Sequence, residues 1–233
     1  MTDRFFPGLW RLHVLTDRTM SRGRSHLQVA EAAIEGGADV LQFRDKEASG
    51  GRLYQEALQL RKLTRDARIP FIVNDRLDIA LAVDADGVHV GQSDLPASVV
   101  RRILAPGKFL GVSVVTVEEA IRAEKDGADY LGVGPVFEAR GTKPDTVLPL
   151  GVDCIARIRR HCRIPIVAIG GINADNARRV REAGADAAAV ISAIVSADDI
   201  SHATRQLKRL LEGTGQSGGE IVHGASGADP DRR

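Results

Sequence analysis

Three short polar clusters in this 233-residue sequence carry the residue types needed to handle phosphate groups. Gln42, Arg44 and Lys46 recur at every second position at the end of an apolar run, so an extended backbone puts all three on one face. Two cations and an amide aimed into a closed space cost desolvation unless an anion meets them. The second cluster is acidic. Asn74-Asp75 ends one apolar run, and Asp94 closes the Gly91-Gln-Ser-Asp94 segment after the next. Two carboxylates at successive strand ends can share a hard cation, and Mg²⁺ typically takes one or two carboxylates with phosphate oxygens and water. Each has an equally weighted plainer role: Asp75 as a cap for a helix starting near Leu77, Asp94 as a cap for one starting at Leu95. The third cluster is mainly backbone and hydroxyl. Gly170-Gly171 follows one run and Ile191-Ser192 the next, and N–H groups exposed there suit a phosphate. Ser113 ends a further run, and Arg140-Gly-Thr142-Lys143 adds two more cations. The cationic site with its carboxylate pair suits a diphosphate; the backbone site suits a monophosphate.

These clusters need elements that bring them to one place. Eight apolar runs, 12–15, 40–43, 70–73, 87–90, 109–115, 130–136, 164–169 and 187–191, are rich in Val, Ile and Leu, as strands covered on both faces should be. Helical patterns alternate with them near 25–36, 51–67, 77–83, 95–104, 116–126, 151–161, 173–183 and 199–212. Ser25…Gln28 and Thr116…Glu119 have the capping-box spacing, and Asn173 is placed to cap a helix from Ala174. Gly37-Ala-Asp39, Gly127-Ala-Asp129 and Gly184-Ala-Asp186 form a weak repeat, with Ala85-Asp-Gly87 a related junction. Its glycine supplies the left-handed residue that ends a helix. Eight βα units in about 210 residues predict an α/β fold, a single-domain (β/α)8 TIM barrel over residues 1–213. The rival doubly wound sheet lacks its Gly-x-Gly-x-x-Gly turn after the first strand. In a barrel, the polar clusters all fall at the C-terminal strand ends, where active sites are built. Residues 214–233 are glycine-diluted and read as a disordered tail that takes no part in the chemistry.

Composition narrows the partners. Lys+Arg 32 against Asp+Glu 31 leaves a net charge of +1, without the basic excess of a nucleic-acid binder. There is no polybasic run for a membrane surface and no apolar stretch of about 18 residues to span one. The N-terminus lacks a signal-peptide core. Cys154 and Cys162 fall on one helical pattern, roughly 12 Å apart, too far for a disulfide. A reducing cytoplasm is the expected location. The oligomeric state is not legible.

The sequence resembles the thiamine-phosphate synthase (thiamine-phosphate pyrophosphorylase) family over most of residues 10–212. The marks are Leu15-Thr-Asp-Arg18, Gln42-Phe-Arg-Asp-Lys46, Val73-Asn-Asp75, Gly87-Val-His-Val-Gly-Gln-Ser-Asp-Leu95, Gly111-Val-Ser113, Gly132-Val-Gly-Pro135, Thr142-Lys143, Gly170-Gly-Ile172 and Ile191-Ser-Ala-Ile194. The resemblance implies a transferase that joins an aminopyrimidine methyl diphosphate to a thiazole phosphate and releases pyrophosphate. It implies that Arg44, Lys46, Asn74 and Lys143 hold the diphosphate, with Thr142 beside them. Asp75 and Asp94 would bind Mg²⁺. Gln42 would contact the pyrimidine, and Ser113 the diphosphate or pyrimidine. Gly171, Ile191 and Ser192 would receive the thiazole phosphate. Arg44, Lys46, Ser113 and Lys143 are the expected catalytic groups. The pyrimidine can delocalise the cation left when pyrophosphate departs, so a largely dissociative displacement is expected. The attacking thiazole nitrogen carries no proton and needs no general base. His89, in a buried strand, is expected to pack or hydrogen-bond; structural roles are favoured for His13 and His26.

Two departures stand out. The family usually has Leu-Arg-Glu-Lys where this chain has Phe43-Arg-Asp-Lys46, and Asp45 is expected to face away from the cations at little consequence. The segment Phe137-Glu-Ala-Arg-Gly-Thr-Lys143 lacks one threonine of the family pattern and is one residue longer. Two other functions compete. A thiazole tautomerase-like isomerase shares the barrel and phosphate site, but that group carries a histidine where this chain has Val115. A non-catalytic barrel that binds thiamine precursors and regulates a partner would not need the diphosphate and metal set. Phe5, Phe6 and Trp10 form an apolar patch that could plug the barrel bottom, flank the first strand or enter an interface, and packing is the expected role.

Overall fold

Short apolar runs form strands here because each residue is buried on one side or the other, in the barrel interior or against the helices outside it. The computed structural model describes residues 10–138 and 148–213. Its strands are β1 (Leu12–Leu15), β2 (Val40–Phe43), β3 (Phe71–Asn74), β4 (Gly87–Val90), β5 (Phe109–Val114), β6 (Tyr130–Val133), β7 (Ile166–Ile169) and β8 (Ala187–Val190). They pair in parallel in sequence order, and β8 closes on β1. The helices are α1 (His26–Glu35), α2 (Gly50–Ala67), α3 (Leu77–Ala82), α4 (Ala97–Ile103), α5 (Val117–Lys125), α6 (Asp153–Arg159), α7 (Ala177–Glu182), α8 (Ser192–Val195) and α9 (Ile200–Glu212). This is the expected (β/α)8 barrel, with α8 as an unforeseen single turn after β8.

Period two divides each strand between two cores. Leu12, Val14, Leu41, Phe43, Phe71, Val73, Val88 and Val90 face outward and pack with the helices. Trp10, Leu15, Val40, Ile72, Tyr130, Val167, Ala187 and Ala189 fill the interior. Trp10 is 1% exposed and meets Phe109 edge-on at 5.1 Å, near the N-terminal strand ends. It is the bottom plug; Phe5 and Phe6 lie outside the described residues.

Proline sets three strand limits nearer than the apolar runs suggest. Pro70, Pro135 and Pro165 each lack the N–H a ladder needs, so β3 begins at Phe71, β6 stops at Val133 and β7 begins at Ile166. Both capping boxes form, at Ser25/Gln28 and Thr116/Glu119. Asn173 is not the α7 cap. Its side chain accepts from Asp175 N at 2.9 Å, closing a turn that delays the helix to Ala177.

The Gly-Ala-Asp repeat has a job at the barrel bottom. Gly37, Gly127 and Gly184 take φ of 94°, 91° and 100°, ending their helices as expected. The aspartates after them, with Asp86 of the related junction, precede the even-numbered strands and pin the odd-numbered ones. Asp39 accepts from Leu12 N at 2.9 Å, Asp86 from Phe71 N at 2.8 Å, Asp129 from Leu110 N at 2.7 Å and Asp186 from Ile166 N at 2.8 Å. A cation from the helix preceding the pinned strand completes each clamp: Lys208, Arg61, Arg101 and Arg159 in that order. Strand N-terminal ends present unpaired donors, and a carboxylate satisfies them while the cation offsets its charge.

Candidate active site

The opposite end of the barrel opens into a cavity of about 1200 Å³. Gln42, Arg44, Lys46, Asn74, Asp75, Asp94, Ser113, Gly171, Ile191 and Ser192 all line it. Ten of the expected site residues therefore share one space. Thr142 and Lys143 lie outside the described residues, as does Arg140.

Gln42 points inward from β2 and is 3% exposed, and its Oε1 has no hydrogen-bond partner among the described residues. Arg44 and Lys46 follow in the loop, past the end of the strand, yet keep its two-residue alternation. Arg44 is not an unmatched cation, contrary to the desolvation argument from sequence. Its Nη1 is paired with Asp17, a buried carboxylate from the β1 loop. Lys46 reaches across to Asp75, with Nζ 3.6 Å from Oδ2.

Neither carboxylate of the acidic pair is a helix cap. Asp75 sits at φ 62°, and the position before α3 is taken by Arg76, whose side chain does not cap the helix. Asp94 turns back to accept from Gly91 N at 2.7 Å, and α4 begins only after Pro96. The two carboxyl groups meet instead. Burial pushes the Asp75 pKa up, and the adjacent Asp94 pushes it further, against the opposing pull of Lys46 and Arg44. A hard cation relieves such a donor set, so the two residues fit a divalent metal.

The cavity floor holds polar groups whose site role is not apparent in the sequence. His89 on β4 is hydrogen-bonded through Nδ1 to Tyr130 Oη (3.1 Å) and through Nε2 to Ser113 Oγ (2.9 Å). That is the hydrogen-bonding role expected of it, now inside the site. Gly111 makes it possible: a Cβ there would fall 2.2 Å from the Tyr130 ring and 2.4 Å from His89 Nδ1. His13 on β1 is fully buried, and neither ring nitrogen has a hydrogen-bond partner among the described residues. Burial, reinforced by nearby His89, lowers its pKa to about 3, so the ring is neutral. Beyond the floor, Gly170 and Gly171 adopt φ of 99° and 64°, and Ile191 precedes α8 with Ser192 as its first residue.

Fold and site together define a class: a (β/α)8 barrel with a large, polar-lined cavity at the C-terminal ends of its strands. A sequence profile described as thiamine monophosphate synthase matches residues 12–194. Thiamine-phosphate synthase of Chloroflexus aurantiacus is 58% identical over 205 residues, covering 88% of this chain and 94% of the relative. That of Methanocella arvoryzae is 52% identical over 200 residues, covering 86% and 94%. The solved thiamine phosphate pyrophosphorylase of Pyrococcus furiosus superposes with a TM-score of 0.80 at 43% identity, covering 88% and 97%. The chain belongs to the thiamine-phosphate synthase family, and is a transferase of thiamine biosynthesis. No helix among the described residues is long and apolar enough to cross a membrane.

Proposed function

We propose that this barrel couples 4-amino-2-methyl-5-(diphosphomethyl)pyrimidine with 4-methyl-5-(2-phosphoethyl)thiazole, yielding thiamine phosphate and pyrophosphate in a Mg²⁺-dependent reaction. The observation that carries this reading is the meeting of Asp75 and Asp94 at the cavity mouth, with Lys46 beside them. In this reading Arg44, Lys46, Asn74, Thr142 and Lys143 bind the diphosphate and stabilise its departure as pyrophosphate. Mg²⁺ held by Asp75 and Asp94 would offset further charge on the leaving group. Gln42 orients the pyrimidine, and its unsatisfied Oε1 supports this by needing a donor there. Ser113, anchored by His89, faces the pyrimidine or diphosphate. Gly171, Ile191 and Ser192 hold the thiazole phosphate near the other wall. The displacement is largely dissociative, and the unprotonated thiazole nitrogen attacks without a general base.

The same reading makes the substrates small molecules, with no nucleic acid or membrane involved. It places the enzyme in the cytoplasm, which the two free, buried thiols of Cys154 and Cys162 support. Residues up to 213 form the catalytic domain, and 214–233 stand apart from the chemistry. Incubation with both precursors, with and without Mg²⁺, tests the central claim: thiamine phosphate and pyrophosphate should appear together only when Mg²⁺ is supplied. Absence of Mg²⁺-dependent product refutes it. Lys143→Ala should weaken inhibition by pyrophosphate, and unchanged inhibition removes Lys143 from the diphosphate site.

A further inference from the structure

Asp45 lies between the two cations of the Gln42–Lys46 segment. Its side chain points away from the cavity, as expected, and is 1% exposed. A carboxylate buried that deeply needs all its lone pairs occupied, and here they are. Oδ1 accepts from Glu47 N at 3.0 Å and Ala48 N at 3.1 Å; Oδ2 accepts from Arg18 Nε at 2.7 Å and lies 3.1 Å from His26 Nε2. Arg18 in turn is held by both oxygens of Glu56, at 2.8 and 2.9 Å. His26 is on α1 and Glu56 on α2, so one carboxylate ties the loop to two helices.

The pairing has a pattern. Asp17 and Arg18 follow β1, while Arg44 and Asp45 follow the adjacent β2. Asp17 pairs with Arg44, and Arg18 with Asp45. Neighbours of opposite charge on one loop thus meet neighbours of opposite charge on the next. Successive extended residues point opposite ways, so one pair faces the cavity and the other faces the helices. Thr16 adds backbone links, its N donating to Gln42 O at 3.0 Å and its Oγ1 accepting from Arg44 N at 3.3 Å. On the cavity side Asp17 cannot swing away, because Oδ1 also accepts from Thr19 N at 3.0 Å and Thr19 Oγ1 at 2.6 Å. His26, Asp45 and Glu56 have metal-ligating types within 4.8 Å of one another, but the Arg18 guanidinium already fills the cation position between the two carboxylates.

We propose that Arg18 and Asp45 are positioning residues that lock the loop after β2 and so aim Arg44 and Lys46 at the diphosphate. This rests on the reading above that those two cations hold the diphosphate. The lock fixes the backbone at position 45 and leaves the Lys46 side chain, 55% exposed, to close on its ligand. A misplacement of about 1 Å in such a group is costly to binding and rate. The consequence is selective: the diphosphate side of the cavity loses, and the monophosphate side near Gly171 does not.

Steady-state kinetics of Asp45→Ala and Arg18→Met, with the full-length chain, test it. Both variants should raise the KM for the pyrimidine diphosphate and the Ki of inorganic pyrophosphate about tenfold. The KM for the thiazole phosphate should stay within about twofold. Combining the two changes should cost little more than either alone, since they remove one unit. An unchanged diphosphate KM, an equal rise for both substrates, or full additivity overturns the proposal. If Asp45→Ala does not fold, Arg18→Met with the same readouts decides. Should the wild-type chain make no thiamine phosphate, the functional reading fails; should it do so while the variants match it, only the positioning role fails.

Discussion

The two ends of this barrel use the same residue in opposite ways. At the bottom, Asp39, Asp86, Asp129 and Asp186 each accept from a strand N–H and pair with a helix cation. At the top, Asp75 and Asp94 face each other, and burial and mutual repulsion raise the Asp75 pKa. Parallel strands explain the asymmetry. Their N-terminal ends show donors that welcome a carboxylate, and their C-terminal ends show carbonyls that do not. A carboxylate pair at the carbonyl end gains from a cation beside it; Lys46 supplies one to Asp75, and in the proposed reading a divalent metal would supply the other. Balanced charge at the bottom ties strands to helices, while the carboxylate pair at the top is what the proposed metal would relieve.

The sharpest way to break this comparison is at the top. Asp75→Asn and Asp94→Asn should each lower turnover by about 10²-fold or more while thermal unfolding stays near wild type; a wild-type rate in either removes the metal assignment. At the bottom the order reverses. Asp86→Ala removes the bonds to Phe71 N and Arg61 and should cost about 2 kcal/mol in a denaturant titration, with turnover in folded protein unchanged. Between the ends, His13 offers a pH test. Its pKa falls from 6.5 unfolded to about 3 folded, so the unfolded chain binds the extra proton and stability declines as pH drops below 6.5 toward 3. At pH 5 this amounts to about 2 kcal/mol, and His13→Leu should flatten that part of the stability–pH curve. The smallest effect is expected from residues 214–233: ending the chain at Gly213 should leave turnover within about twofold of wild type, and a large loss gives that segment a role.

Much of this was legible without coordinates. Apolar runs buried on both faces, helical stretches between them and glycine stops announced the eight βα units, because those signals are local. Their limits slipped at Pro70, Pro135 and Pro165, where a missing N–H matters only once a neighbouring strand needs it. Asn173 slipped for a related reason: one asparagine can cap a helix or close a turn, and the Asn176 side chain bound to Gly171 O selects the turn. The cationic and acidic clusters were visible as types and spacings. Asp17 as the partner of Arg44, and Tyr130–His89–Ser113 as the floor, were not, because each joins residues from different strands.

The sequence alone therefore determined the element order, the end of the barrel where the polar clusters gather and the family of the enzyme. These follow from periodicity, glycine and proline placement and short motifs, all of which act within a few residues. Only the tertiary structure decided what each aspartate does. Asp39 and Asp75 are the same side chain, and either could cap, pair or bind a cation. The choice belongs to closure of the barrel, which sets an amide and a lysine beside the first, and a second carboxylate beside the other.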